Sequence, residues 1–170
     1  MLDETIVTET PPLYCCEGHI GEQVRVPITG HRAQRIVHGA INGGPGEVAA
    51  MVTKSWTPEE HPDFLSVIRS HWRGWDLVLV EDRASPPTTP ERLDWAETRG
   101  IEVRLLPQAT PELNAMDPLW KHAKREAVGS RATATVEAST LAVCQHVLRL
   151  SPRDRLRQAG ILSGSFWLTK

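Results

Sequence analysis

The chain has 170 residues, 40% of them hydrophobic and 24% charged, which suits one globular domain with a sizeable core. No run approaches the roughly 20 apolar residues needed to span a bilayer and no apolar leader follows Met1, which excludes a helical membrane protein and predicts a soluble, unexported one. Three cysteines, two of them adjacent, argue against a disulfide framework and suit a reducing cytoplasm, while a net charge of −2 excludes a strongly basic nucleic-acid module.

Taken in chain order, Met1 to Val7 reads as a strand, and Pro11 to Gly21 reads as a loop. Cys15-Cys16-Glu17-Gly18-His19 within it lacks the paired spacing of a zinc site. Gln23 to Ile28 alternates Val24, Val26 and Ile28 on one face, which predicts a short strand. Arg35 to Ile41 and Glu47 to Thr53 flank Asn42-Gly43-Gly44-Pro45-Gly46 and predict an antiparallel hairpin. Thr57-Pro58-Glu59-Glu60 carries a Thr N-cap, Pro at the first helical position and Glu at the capping-box position. Phe64, Leu65, Ile68 and Trp72 then recur at helical spacing, and the helix stops near Gly74.

Asp76 to Asp82 contains four consecutive apolar residues, which predicts a strand covered on both faces. A second capped helix runs from about Pro90 to Arg99 and ends at Gly100. Ile101 to Leu106 is the next strand, and a loop from Pro107 to Ala115 leads to a helix from about Asp117. Further helices are expected over Thr135 to Leu150 and Pro152 to Ala159. The order predicts an α/β protein of the ribonuclease H-like fold. Its mixed sheet combines an antiparallel meander with βαβ units and is flanked by helices, with the first and fourth strands as neighbours.

That order distributes three acids in a telling way. Asp3 lies on the first strand, Asp82 at the carboxyl end of the fourth, and Asp117 at the start of the helix after the fifth. Ligands in open α/β sheets collect at the carboxyl ends of parallel strands, so the three carboxylates are expected to converge. Two like charges about 4 Å apart repel by about 4 kcal/mol at an effective dielectric near 20. Such a cluster calls for a cation, and hard divalent ions take oxygen ligands. A pair of such ions about 3.5–4 Å apart stabilises the attacking and leaving oxygens of a phosphoryl displacement. Singly, each acid also has a plain reading: a solvated terminal residue, a strand end, or a helix N-terminal residue favoured by the macrodipole.

Two segments make the pattern specific. They are Leu79-Val80-Glu81-Asp82-Arg83-Ala84 and Leu105-Leu106-Pro107-Gln108-Ala109-Thr110-Pro111-Glu112-Leu113-Asn114-Ala115-Met116-Asp117-Pro118-Leu119-Trp120. Together they resemble the mariner-like transposase superfamily, and within it the bacterial insertion-sequence branch with a DDE superfamily endonuclease domain. That family shows a hydrophobic strand ending in Asp-Asn, then Leu-Pro-x-x-Ser-Pro-Glu-Leu-Asn-Pro-Ile-Glu and a Trp. Residues 83 to 116, 34 in all, separate Asp82 from Asp117, a spacing that mariner-like members favour. Met1 to Thr5 resembles the Asp-Glu that carries the first acid, and His38-Gly39-Ala40 resembles the second-strand pattern. The chain departs from the family at Arg83, where Asn is usual, at Pro87, about where a His often follows, at Ala115, where Pro is usual, and at Asp117, where many bacterial members have Glu.

The resemblance implies that Asp3, Asp82 and Asp117 are the catalytic, metal-binding triad. Asp3 and Asp82 would share two Mg²⁺ ions, with Mn²⁺ as substitute, and Asp117 would complete the second site. It implies that Asn114 holds the loop before the third-acid helix and that Trp120 packs that helix onto the sheet. The implied activity is DNA cleavage and strand transfer in insertion-sequence transposition, with DNA as partner and a homodimer to cut two ends. Lys121, Lys124 and Arg125, at helical spacing beyond Asp117, are candidate DNA-phosphate contacts, and Arg149, Arg153, Arg155 and Arg157 enrich the C-terminal part. Only two residues precede Asp3, so the sequence predicts one ribonuclease H-like domain, truncated at its N-terminus and without a helix-turn-helix. A catalytically inactive transposase remnant acting as an interaction module is the alternative. A different ribonuclease H-like nuclease fits the Pro-Glu-Leu-Asn segment and the acid spacing less well.

Overall fold

The protein is described by a computed structural model covering residues 1–170 except Cys16, Gly18, Trp56, Pro58, Glu59, residues 84–89 and Lys170. Pro58 and Glu59 of the expected helix start, Cys16 and Gly18 of the cysteine cluster, and Ala84 and Pro87 therefore lie outside the described residues. Five strands and five α-helices follow the expected order: β1 Leu2–Thr8, β2 Gln34–Ile41, β3 Val48–Thr53, α1 Glu60–His71, β4 Leu77–Glu81, α2 Pro90–Glu97, β5 Ile101–Leu105, α3 Met116–Val128, α4 Val136–Arg149 and α5 Pro152–Gln158.

The local signals act as their chemistry requires. The Glu60 carboxylate accepts a hydrogen bond from the Thr57 amide at 2.8 Å, one half of the capping box. Thr135 caps α4 by accepting from the Ala138 amide, and Ser151 caps α5 from the Asp154 amide, with Pro152 in its first turn. In the β2–β3 turn the Asn42 amide donates to the Glu47 carbonyl, and Gly46 supplies the positive φ of 75°. Gly100 closes α2 at φ 70°, although regular helix ends at Glu97 rather than Arg99.

Two expectations are corrected. Gln23 to Ile28 forms no strand. Val24 and Ile28 are 48% and 61% exposed, because β1 already pairs directly with β2 and the intervening segment meets no strand to pair with. β4 is not covered on both faces throughout: Leu79 and Val80 are buried, but Val78 is 52% exposed. The first and fourth strands are neighbours as expected: β1, β2 and β3 form an antiparallel sheet, β4 and β5 form a parallel pair, and β4 packs beside β1, although no ladder joins the two among the described residues. A cleft of about 180 Å³ opens beside the first half of β4, lined among others by Met1, Ile41, Trp72 and Leu77.

Two hydrophobic clusters sandwich the strands. On one side Phe64, Leu65 and Ile68 of α1 pack with Leu2, Ala40, Leu79 and Ile101. On the other, Met116, Leu119, Trp120 and Ala123 of α3 pack with Val37, Ile41 and residues of α4 and α5. Arg155 is drawn into this second layer, donating to the carbonyls of Val147 (2.9 Å), Leu148 (2.7 Å) and Gly46 (3.2 Å), so it ties helices to the hairpin turn.

Gly39 sets how closely α3 approaches. A Cβ there would penetrate the Trp120 ring and come within 2.8 Å of Met116 Cε. Gly39 is also the cross-strand partner of Asp3, so the bare backbone at this position seats α3 beside the first acid. Trp120, 2% exposed, packs the helix onto the sheet as expected. Gly39→Ala should lower stability by about 1–3 kcal/mol through overpacking. Urea denaturation measures this, and an unchanged midpoint would mean that α3 is not seated through this contact.

Candidate active site

Side chains alternate along a strand, so neighbouring residues of β1 face opposite layers. Leu2 enters the cluster under α1, which turns Asp3 toward α3. Asp82 is the first residue beyond β4, and Asp117 lies in the first turn of α3. Asn114 links two of these elements. Its side-chain amide donates to the Leu2 carbonyl at 2.8 Å, and its Oδ1 accepts from the Met116 amide at 3.1 Å. It is 2% exposed, so both bonds are shielded from water. Asn114 thus holds the loop before α3, and it joins the backbone just before Asp3 to the backbone just before Asp117. The short 3₁₀ turn Pro111–Leu113 precedes it, and the Leu113 carbonyl accepts from the Trp167 indole at 2.9 Å.

The electrostatics report the convergence. The Asp3 carboxyl is pushed up to about 8, first by burial and then by the carboxylates of Glu4, Asp82 and Asp117. Asp82 and Asp117 therefore both stand close enough to act on Asp3, although the three come from three elements. They do not form a closed shell: among the described residues, no three His, Cys, Asp or Glu side chains make a group able to hold a metal ion as they stand. Lys121 Nζ donates to Asp117 Oδ2 at 2.6 Å, in the i,i+4 geometry. The donor set still fits a hard divalent ion, because it offers only carboxylate oxygens and holds a proton on Asp3 for want of positive charge.

The basic residues of α3 divide. Lys121 and Lys124 both feel the charges of Asp117 and Asp3, and the Lys124 ammonium is pulled down by its burial. Arg125 instead donates to Glu126 Oε1 at 3.0 Å. Arg83 turns its Nε to the Leu106 carbonyl at 3.2 Å, beside an open cleft of about 410 Å³ lined by Asp82, Arg83 and residues 107–111. Sequence reasoning placed the acids but missed Gly39 as the seat of α3, for which a glycine inside a strand was the available signal. It also missed two buried glutamate–histidine pairs, His61–Glu81 and His38–Glu4, which no sequence spacing announces.

Asp3 makes stability depend on pH. The folded state keeps the Asp3 proton up to about 8, whereas the unfolded chain releases it near the ordinary carboxylate value of 3.8. Between those values the folded state binds more protons, so stability falls as pH rises, and the loss is complete above about pH 8. Without added metal, urea unfolding should show lower stability at pH 8 than at pH 5, and Asp3→Asn should flatten that slope. Equal slopes in both proteins would remove Asp3 as the cause.

A family model described as DDE superfamily endonuclease matches residues 1–139. No curated protein matches the chain. Among solved structures, the Mos1 transposase paired-end complex with left transposon end aligns at TM-score 0.71 and 14% identity, over 95% of this chain and 51% of that one. The Mos1 strand transfer complex aligns at TM-score 0.73 and 14% identity, over 95% and 50%. The Mos1 mariner paired-end complex with Mn gives TM-score 0.71 and 12% identity, over 95% and 51%. The chain therefore spans about half the length of these proteins, and the likeness establishes the ribonuclease H-like fold. With most of its residues inside the family model, the chain belongs to the DDE superfamily endonucleases.

Proposed function

We propose that residues 1–170 are one catalytic domain of a mariner-like transposase, which uses divalent metal ions to cut DNA and join the cut end to a target. The observation that carries this reading is the placement of Asp82, at the end of β4, and Asp117, in the first turn of α3, close enough to the buried Asp3 for both carboxylates to act on it. Asp3 and Asp82 would share two Mg²⁺ ions, or Mn²⁺ in their place, and Asp117 would serve the second. Bound ions of this kind supply Lewis-acid polarisation of the phosphodiester and activation of water.

The chain's own residues must then make two exchanges. Asp3 gives up its proton, and Asp117 gives up Lys121. Freed from Asp117, Lys121 contacts a DNA phosphate, with the half-buried Lys124 behind it. Arg125 keeps to the flank beside Glu126 and contributes less. In the reaction a water oxygen attacks phosphorus at the element's end, and the bond from phosphorus to the 3′ oxygen breaks to free a 3′-hydroxyl. That hydroxyl next attacks a target phosphodiester and displaces its 3′ oxygen. Two ends must be processed, so two copies of the protein act together. The paired-end and strand-transfer complexes of Mos1 support this arrangement by analogy of fold.

The second reading is a catalytically inactive module that keeps the fold and associates with an active transposase. The Lys121–Asp117 ion pair favours it, since a lysine already neutralises one of the three acids.

Calorimetric titration with Mn²⁺ separates the two. Saturable binding that Asp82→Ala abolishes supports the catalytic reading, whereas a folded wild type that binds no Mn²⁺ leaves the interaction module. Lys121→Ala should tighten Mn²⁺ binding several-fold by releasing Asp117. The same change should weaken DNA binding uniformly across sequences and reduce the salt slope by about one. Unaltered DNA affinity in that variant would count against Lys121 as a phosphate contact.

A further inference from the structure

The residue next to each of the two strand acids points through the sheet, to the side away from the candidate site. Glu81 precedes Asp82 and Glu4 follows Asp3, and both glutamates enter the layer beneath α1. Each meets a histidine there. Glu81 Oε2 lies 2.9 Å from His61 Nε2 of α1, with the two residues 0% and 5% exposed. Glu4 Oε1 lies 3.8 Å from His38 Nδ1, and His38 Nε2 is 3.1 Å from Thr53 Oγ1. The first pair is the tighter and the more deeply buried.

A carboxyl group with no exposure is a poor choice for stability alone. Apolar residues of similar volume in place of a buried ion pair are often neutral or stabilising. This pair is not even fully satisfied, because Glu81 Oε1 and His61 Nδ1 have no hydrogen-bond partner. What it does provide is direction. The Glu81 carbonyl accepts from the Leu106 amide at 2.8 Å, so Glu81 is fixed by its backbone on the β5 side and by its side chain on the α1 side. Asp82 begins one peptide later, at the first residue beyond β4.

We propose that Glu81 and His61 are positioning residues for Asp82: their buried hydrogen bond locks the end of β4 in the pleat that aims the Asp82 carboxylate at Asp3. The metal-binding part of this inference rests on the function proposed above, while the placement of Asp82 does not. Outer partners of metal ligands characteristically change metal affinity by about 10–100-fold when lost.

The test compares wild type, Glu81→Gln, and the double variant Glu81→Met/His61→Leu by crystallography and Mn²⁺ calorimetry. The double variant removes both polar groups at similar volume, so it should fold with an unchanged or higher urea midpoint. It should nonetheless show Asp82 turned away from Asp3 and Mn²⁺ affinity at least about tenfold weaker. Glu81→Gln keeps a hydrogen-bonding partner for His61 and should stay within about threefold of wild type, which a loss of generic packing would not distinguish from the double variant. An unmoved Asp82 in the folded double variant overturns the proposal, whatever the metal affinity. Failure of the wild type to bind Mn²⁺, together with a displaced Asp82 in the double variant, instead overturns the catalytic reading and leaves the positioning role standing.

Discussion

Asn114 makes two buried hydrogen bonds on which the candidate site depends, one to the Leu2 carbonyl and one from the Met116 amide. A net contribution of about 0.5–1.5 kcal/mol each is modest, but an unpaired buried partner costs about 1–3 kcal/mol. The Met1 thioether adds a weaker link between the same elements, accepting from the Ala115 amide at 3.4 Å. Gly39 completes the constraint from the sheet side, since the missing side chain is the space that Met116 and Trp120 fill. The asparagine fixes the helix along the strand, and the glycine fixes its height above the sheet.

Once the three acids are brought together, their repulsion has to be answered. The folded chain answers it twice, by a proton held on Asp3 and by the Lys121 ammonium on Asp117. Both are exchangeable, in contrast to the Glu81–His61 pair on the far side of the sheet, which is sealed from water. This asymmetry matches a protein that must accept cations on one face while keeping its strands rigid from the other. Burial sharpens each charge–charge interaction by excluding water, so small displacements of Asp82 matter more than they would on an open surface.

The division of the sheet also bears on the site. Among the described residues β4 shares a ladder only with β5, and a cleft opens beside its first half, so β4 is otherwise held by packing beside β1, by Leu79 in the cluster under α1 and by the Glu81–His61 contact near its carboxyl end. The end that carries Asp82 is therefore the end that is held. Trp167 reaches back from the C-terminal segment to the Leu113 carbonyl and steadies the turn before α3 in a similar way.

Much of this was legible in the order of residues. The capping box at Thr57, the Gly-rich hairpin turn and the apolar run of β4 are local, so sequence alone determined those elements and placed Asp3 on a strand, Asp82 at a strand end and Asp117 at a helix start. The i,i+4 spacing likewise put Lys121 within reach of Asp117. Where an outcome depended on a distant partner, the sequence was silent or misleading. The alternation of Val24, Val26 and Ile28 promised a strand, yet a strand needs a partner, and among the described residues this segment pairs with none. The four apolar residues of β4 promised full burial, yet Val78 lines an opening bounded by Leu93 and Glu97 of α2 and by β5. Local periodicity specifies a backbone conformation, because its interactions lie within a few residues. Tertiary structure decided which backbone groups find partners, which way Asp82 is turned by Glu81 and His61, and how far burial and neighbouring charge move the Asp3 proton, because those energies arise between residues that only folding brings together.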